Sequence, residues 1–434
     1  MDLTALPLRA AAARPHVLLV TTPGGTATRL AAERRLRLQD LPRARTPAEA
    51  DVLLVAGPEC RGLRPAIDRL WQSLPAPRAR ARAATPAALP DALARCRAEL
   101  AAPPGRRHAG RRHEDRAGGG PDAGFDDAES VGSGDGRDER DGHDEDSGGG
   151  HGGHCSGADH GSHGGSEPPW GLPMAGQGAD RDGLMLDQLH VPLGPFLADW
   201  PDGLTARLTL QGDVVQRLRF AWPPVGGRPT AARPPFWGEP WARAAAGERV
   251  DVGEGARRRA AAHADSLGRL LAVAGWTRAA TTARRLRDDL LDGASSAELR
   301  PGVRRFARRV GRSRTLHWLT RGAGVLTAEA AQDAGVTGPA ARADGDVPAR
   351  YRTWLAALVR DVDRLADRSP LDPAEEGPRG GGAPDGPWPS AALVRVLPGL
   401  LEGSELAAAR LVVASLDPDP DELAAVSREV GAGD

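Results

Sequence analysis

Four histidines and one cysteine lie within a glycine-rich stretch near the middle of the chain. The stretch reads HGGHCSGADHGSHGG and carries the possible ligands His151, His154, Cys155, His160 and His163. Imidazole and thiolate groups bind zinc, nickel or copper, and His-rich tracts of low complexity bind such metals. A solvated tract with incidental metal affinity has the same composition, because a metal site needs fixed geometry as well as donors. Zinc or nickel binding here is therefore one of two interpretations.

Arginines are concentrated on one predicted helix. Its apolar residues recur at helical spacing, and between them lie Arg304, Arg305, Arg308, Arg309 and Arg312. Guanidinium groups bind carboxylates and phosphates, so this cluster could dock an acidic subunit or a nucleic acid. A solvated helix face, or pairing with an acidic segment of the same chain, would use the same residues. Because the formal net charge is −1, the chain has no overall attraction for nucleic acid, and a docking surface for a partner protein is the preferred functional interpretation.

Several kinds of catalysis are excluded by the residue types that are missing. All 57 basic residues are arginine, so the chain has no Schiff-base lysine, P-loop lysine or lysine general base. The cysteines Cys60, Cys96 and Cys155 are too few and too scattered to surround one metal centre with four thiolates. His263 and His317 lie among apolar helical positions, where a core histidine is the more common case. We predict no catalytic residues and no cofactor-binding residues.

Two units of a strand followed by a helix are predicted in residues 1–102. Residues 16–20 (HVLLV) run into residues 21–25 (TTPGG), and Val52–Ala56 runs into Gly57 and a helical segment. This repetition predicts an α/β domain with a small doubly wound parallel sheet. The Gly-Gly pair could cradle a phosphate at a helix N-terminus, although no GxGxxG motif or following lysine supports this interpretation.

The remaining chain divides by composition. Between Asp122 and Asp146 eleven acidic residues accompany two arginines, so residues 103–167 are predicted to be a disordered acidic, His- and Gly-rich linker. Residues 168–370 predict an α+β domain, in which a β-hairpin with Leu208 and Val214 on its buried face precedes a helical bundle. A Gly/Pro linker at residues 371–390 and a helical tail at residues 391–434 follow.

Residues 50–77 resemble the small, cluster-bearing subunit of respiratory complex I and of membrane-bound [NiFe]-hydrogenases. The segment reads ADVLLVAGPECRGLRPAIDRLWQSLPAP, and LPAP occupies the place of the family's "MPEP". The resemblance implies four cluster ligands, including adjacent cysteines just after the first strand. Here that turn reads Thr21, Thr22, Pro23, Gly24 and Gly25. The family's iron–sulfur cluster is therefore not expected.

The later part of the chain resembles the large, hydrogenase-derived subunit of the same complexes, which contains the quinone site. The matching segments are VPLGPFLADWPDGLTARLTLQGDVVQ at residues 191–216 and DAGVTGPAARADG at residues 333–345. The family's loop carries a histidine that contacts the quinone headgroup, and Leu197 and Ala198 stand in its place. No CxxC pair frames this region, which argues against a nickel–iron site.

The resemblance implies a fused, degenerate relative of two complex I or hydrogenase subunits. We expect a non-catalytic accessory or structural subunit whose partners are the other subunits of such an assembly. A quinone-oxidoreductase subunit with residual ligand binding and a metal-handling or assembly factor that uses the His-rich stretch are the alternatives. No run of 18 or more apolar residues occurs. We therefore expect a cytoplasmic protein that reaches the inner face of the membrane through its partners.

Overall fold

The computed structural model describes residues 14–102, 176–179, 183–222, 234–381 and 388–424. The predicted linker at residues 103–167, with its candidate ligands His151, His154, Cys155, His160 and His163, lies outside the described residues. We call residues 14–102 the small half and the described residues from 176 onward the large half. Both halves belong to one compact unit.

The small half is a parallel three-stranded sheet with helices on both faces, which confirms the predicted α/β class. Its strands lie side by side in chain order as β1 (Val17–Thr21), β2 (Val52–Ala56) and β3 (Ala79–Ala83). The helices that follow them are α1 (Thr26–Leu38), α2 (Arg64–Ser73) and α3 (Leu89–Ala101). Because side chains alternate along a strand, α1 and α3 cover one face and α2 covers the other.

The third strand is one that the apolar pattern did not predict. Its sequence is ARARA, with the alanines buried and Arg80 and Arg82 half-buried on the other face. Arg80 bonds Asp68 of α2 at 2.8 Å, and Arg82 donates to the carbonyl of Pro58 at 3.1 Å. Arginine stems can lie along apolar surface while their charged ends find partners. The strand therefore fits a buried sheet despite its polar sequence.

The large half begins with an antiparallel sheet, as predicted. Its four strands are ordered β4 (Gln177–Ala179), β5 (Met185–Leu193), β6 (Thr205–Gln211) and β7 (Val214–Ala221). Leu204, Leu208, Leu210 and Leu218 face the helical core from the β6–β7 hairpin. The predicted position of Val214 is wrong: the register shifts between Thr209 and Leu210, so Val215 is fully buried and Val214 only partly. A β-bulge of this kind exchanges the two faces of a strand.

Ten helices of the described large half build the predicted bundle. They are α4 (Glu239–Ala245), α5 (Val252–Val273), α6 (Thr277–Leu291), α7 (Ser296–Gly311), α8 (Arg314–Thr320), α9 (Ala328–Asp333), α10 (Gly338–Ala343), α11 (Val347–Asp363), α12 (Pro389–Leu401) and α13 (Leu406–Leu416). The long helices α5, α6, α7 and α11 pack together. Their predicted apolar stripes are buried, as at Leu267 on α5, Phe306 on α7 and Tyr351 on α11.

The C-terminal segments are part of this core. Leu397 of α12 and Val412 of α13 are fully buried in the same cluster as the hairpin. Val215 exchanges backbone hydrogen bonds with the α12–α13 turn, donating to Ser404 at 2.9 Å and accepting from Gly403 at 2.7 Å. Among the described residues, no helix has the combined length and apolarity that a membrane crossing requires.

Replacing Leu208 with aspartate tests the packing of the hairpin. Leu208 is buried on β6, so Leu208→Asp places an unpaired charge in the core and should lower the free energy of unfolding by about 4 kcal/mol or more. Arg207→Asp is the matched control, because Arg207 is exposed and lies opposite Arg219. It should change stability by less than about 0.5 kcal/mol. Equal losses in thermal or urea unfolding would contradict this packing.

Candidate functional site

One small cavity lies between the halves, where the end of β1 meets the loop after β5. Thr21 is the last residue of β1 and leads into the turn at residues 22–25, and residues 194–203 follow β5. Thr21 donates a side-chain hydrogen bond to Asp202 across the boundary. The cavity has a volume of about 50 Å³, against roughly 300–1,000 Å³ for ordinary ligand pockets. The side chains that line it include Thr21, Arg29, Glu33, Arg43, Leu197, Ala198, Asp199, Asp202, Asp265, Arg269 and Arg284.

A buried carboxylate, Asp265 on α5, lies at the centre of the charged groups behind this cavity. Arg29 of α1 binds both of its oxygens, Nη2 to Oδ2 at 2.8 Å and Nη1 to Oδ1 at 3.3 Å. Arg287 of α6 donates to Oδ1 at 2.6 Å, and Arg269 lies 3.2 Å from Oδ2. Burial alone would raise the pKa of Asp265, but these three guanidinium groups hold it well below its usual range. Asp265 is therefore ionised at neutral pH.

Glu33 of α1 supplies the second buried carboxylate. Each half therefore contributes both an arginine and a carboxylate to the contact between them. Glu33 accepts from Arg287 of the large half at 2.7 Å and from Arg43 of the small half at 3.0 Å. Burial would raise its pKa, but Arg43, Arg287 and Arg29 lower it far below the ordinary value. On the next turn of α1, Arg37 bonds the buried Asp288 of α6. We call Arg29, Glu33, Arg37, Asp265, Arg269, Arg287 and Asp288 the interhalf network.

Carboxylates that follow α13 extend this network to the first turn of the chain. Asp417 accepts from Ser266 at 2.5 Å and from Arg379 at 2.8 Å, and its other oxygen lies 2.9 Å from Arg269. Asp421 accepts from the backbone N–H of Gly24 at 2.7 Å. The turn that could have cradled a phosphate therefore binds a carboxylate of the same chain, in the position where a helix N-terminus favours an anion.

The turn itself requires glycine. A Cβ atom on Gly25 would lie 2.5 Å from the carbonyl oxygen of Ala56, so no side chain fits there. Gly24 has φ +82°, in the left-handed region that favours glycine. These two glycines let the chain turn tightly beside the carboxylates that follow α13.

Three other acidic groups, of which Asp202 lines the cavity, have raised pKa values. Burial raises the pKa of Asp202 to about 6 against the partly compensating charges of Arg29 and Arg269. Burial and the neighbouring Asp419 raise the pKa of Asp421 to about 6 and that of Glu422 to about 7. These groups change protonation state near neutral pH, unlike Glu33 and Asp265.

The two described cysteines do not meet. Cys96 packs with α1 and α3 on one face of the small sheet, and Cys60 packs with α2 on the other face. Burial raises the pKa of Cys96 to about 12, so its thiol stays protonated. Neither thiol lines the cavity between the halves.

The two histidines singled out earlier differ. His263 is buried as predicted, with Nε2 at 3.2 Å from the carbonyl oxygen of Pro378. Burial lowers its pKa to about 4, so the ring is neutral and Nε2 donates this bond. His317 is exposed, and its Nδ1 lies 3.3 Å from Arg352.

The arginines of α7 are placed on its solvent side. Arg304 bonds Asp363 at 3.4 Å, and Arg309 lies over the ring of Trp276 at 5.5 Å. Arg305, Arg308 and Arg312 are exposed and make no ion pair with any described residue. Their docking role remains a prediction.

Comparison with known proteins finds similarity to solved structures alone. No protein-family model and no curated protein sequence matches the chain. Among solved structures, a chain of the membrane-bound sulfane sulfur reductase, an archaeal respiratory membrane complex, is 17% identical with a TM-score of 0.40. The match covers 55% of this chain and 98% of that chain.

Replacing Asp265 tests how much the interhalf network contributes to the free energy of unfolding. Asp265→Ala leaves the buried Arg29, Arg269 and Arg287 without their shared partner, which should cost about 3–5 kcal/mol of unfolding free energy. Arg368→Ala is the control, since the Arg368–Asp251 pair lies at the surface with Arg368 86% exposed. It should cost less than about 1 kcal/mol. A mild effect of Asp265→Ala in urea unfolding would show that the network does not join the halves.

The raised pKa values predict an unusual dependence of stability on pH. Asp421 has a pKa of about 6 when folded, above the unfolded value of about 4. Between these pH values the folded state binds more protons, so the free energy of unfolding falls as pH rises. Asp421→Asn can still accept from Gly24, and it should stabilise the protein at pH 7.5 by on the order of 2 kcal/mol and flatten the profile.

Exposed Asp333 provides the control for this measurement. Asp333→Asn should leave the profile from pH 4.5 to 7.5 unchanged. A profile for Asp421→Asn that matches the wild type would mean that Asp421 is not the titrating group.

Proposed function

We propose that this chain is a non-catalytic structural subunit of a redox complex of the complex I or hydrogenase type. In this proposal one polypeptide supplies both the small-subunit and the large-subunit scaffold. Its partners are the other subunits of the assembly, through which it is held at the inner face of the membrane. Its contribution to the complex is the rigid junction of the two halves and the surfaces that surround it.

The observation that carries the proposal is the cavity at which Thr21, the residue before the turn at residues 22–25, lies with Leu197 and Ala198 of the loop after β5. The family that the sequence resembles places cluster thiolates on the first of these loops and the quinone-contacting histidine on the second. Here both loops remain at the boundary between the halves, while threonine, glycine, leucine and alanine occupy them. Retention of the scaffold without these residues supports an accessory role.

The residues at the boundary do not fit the cofactors of that family. A four-iron cluster needs several converging thiolates, whereas Cys60 and Cys96 lie on opposite faces of the sheet. The cavity volume of about 50 Å³ is far below the roughly 300–1,000 Å³ of ordinary ligand pockets. A quinone headgroup does not fit there unless the ion pairs around it separate.

What this chain's own residues supply instead is attachment. Arg29 and Glu33 of the small half are buried against Asp265 and Arg287 of the large half. Separating the halves would return four charges to water but would also expose Leu30 of α1, which packs in the core of the large half. The halves are therefore expected to act as one body within an assembly.

The proposal is tested by purifying the tagged full-length chain from membranes of cells that produce it. We expect co-purification with subunits of a complex I or hydrogenase-type complex at constant stoichiometry. Arg368→Ala should preserve that association and Asp265→Ala should weaken it, because only the second disrupts the junction. A chain that purifies without such subunits would contradict the proposal.

Metal analysis of the same preparation separates the alternatives. After anaerobic reconstitution with iron and sulfide, the isolated chain should lack the broad visible absorbance of an iron–sulfur protein. A stoichiometric four-iron cluster would instead support an electron-transfer subunit. Stoichiometric zinc or nickel that is lost on replacing His151 and His154 by alanine would support the metal-handling alternative.

A further inference from the structure

An exposed tryptophan lies among arginines at one end of the bundle. Trp318 on α8 is 68% exposed, and Leu319 and Val325 beside it are 47% and 53% exposed. Isolated exposed apolar residues are ordinary, whereas these three large ones lie within eight positions of one another in the sequence. Tryptophan and arginine are the residues most enriched where proteins bind each other tightly.

The arginines flank Trp318 by the geometry of α8. Leu316 and Thr320 face the core, so positions 314, 318 and 321 fall on the opposite side at helical spacing. Arg314 and Arg321 therefore lie about one turn before and after Trp318. Arg312 precedes α8 by two residues. We call Arg312, Arg314, Trp318, Leu319, Arg321 and Val325 the tryptophan–arginine surface.

None of these three arginines has an ion-pair partner among the described residues. The nearby Asp363 is bound by Arg300 at 2.7 Å and by Arg304 at 3.4 Å. Asp346 is occupied by the backbone N–H groups of Gly322 and Ala349. The surface is consequently basic around an apolar centre, and the complementary partner carries carboxylates around an apolar anchor.

The backbone beneath the surface is held firmly. Arg350 is buried and donates to the carbonyl of Gly324 at 2.8 Å and of Gly345 at 2.9 Å. Leu326 donates to Gly345 at 3.0 Å, and Gly324 lies against Val412. A surface that is already rigid loses little conformational entropy when a partner binds.

We propose that the tryptophan–arginine surface binds an acidic segment with an apolar anchor on a different protein. This inference deepens the proposed function. It rests on that function for the identity of the partner, which is a neighbouring subunit of the same complex. A second copy of this chain fits poorly, since a symmetric contact would place arginine against arginine. A nucleic acid is disfavoured by the apolar centre and by the overall net charge of −1.

The test places a photo-cross-linking benzophenone amino acid at Leu319 in the full-length chain, in the cells that produce it. The control chain carries the same group at Leu38, which is 63% exposed on the small half. The cross-linked peptides are identified by mass spectrometry. From position 319 we expect one dominant segment of another protein, richer in Asp and Glu than in Lys and Arg and containing a large apolar residue. Position 38 should not capture that segment.

Variants then test the chemistry of the contact. Trp318→Ala and, separately, Arg314→Glu with Arg321→Glu should each reduce the cross-linking yield at least about tenfold. Arg69→Glu, at an exposed position of α2, should leave it unchanged. All variants should keep the wild-type thermal melt, because the altered side chains are exposed.

The remaining outcomes separate this inference from the proposed function. Cross-links to RNA, to a second copy or to many unrelated segments would overturn the inference. A cross-linking yield that stays the same in the Trp318 and arginine variants would overturn it as well. If the inference is overturned in this way but respiratory subunits still co-purify with the chain, the proposed function is still supported. An acidic segment of a protein outside any respiratory complex would support the surface and contradict the proposed function.

Discussion

The arrangement of the two halves depends on the cost of burying charge. Arg287, Asp265 and Asp288 are almost fully enclosed, and an isolated ion in such a place would be destabilising by several kcal/mol. Each is therefore acceptable only while its partners stay within hydrogen-bond distance. Because Arg29, Glu33 and Arg37 lie at intervals of four residues on one face of α1, the large half fixes both the rotation and the position of this helix.

This constraint also makes the interface between the halves hard to change by single substitutions. A network whose members share partners is costly to dismantle one residue at a time, since Arg287 alone bonds Glu33, Asp265 and Asp288. Replacing several members together by apolar residues of similar volume could be neutral or stabilising. The buried charges are thus better understood as specifying one relative orientation than as maximising stability. The proposed accessory role requires that orientation, because in that proposal both halves present surfaces to partners.

The sequence best predicts those elements that are buried through apolar side chains. Val17–Thr21 and Val52–Ala56 are continuous apolar runs, and the stripe from Tyr351 to Val362 repeats at helical spacing. The apolar pattern does not predict β3, because its arginines find partners across the sheet face that no local pattern reveals. The prediction for Val214 is wrong because a bulge is a property of two strands together. The turn at residues 21–25 is indicated by the strand–glycine–helix pattern, whereas the loop at Leu197 and Ala198 is indicated only by the resemblance to a known family.

The interhalf network could not be predicted for a related reason. On a helical wheel Arg29, Glu33 and Arg37 look like a solvated charged face, and their partners lie more than 230 residues away in the chain. The segment Asp417 to Glu422 reads as an acidic, proline-rich loop, yet Asp417, Asp419 and Glu422 are almost fully buried. Arg269 and Arg379 pair with Asp417 inside the protein. Ser390 donates to Glu422, and the Gly24 amide donates to Asp421. Burial of each of three places therefore depends on the other two: the turn after β1, the middle of α5 and the end of α13. The segment that follows α13 is thus as much a part of the boundary as the strands that resemble the family.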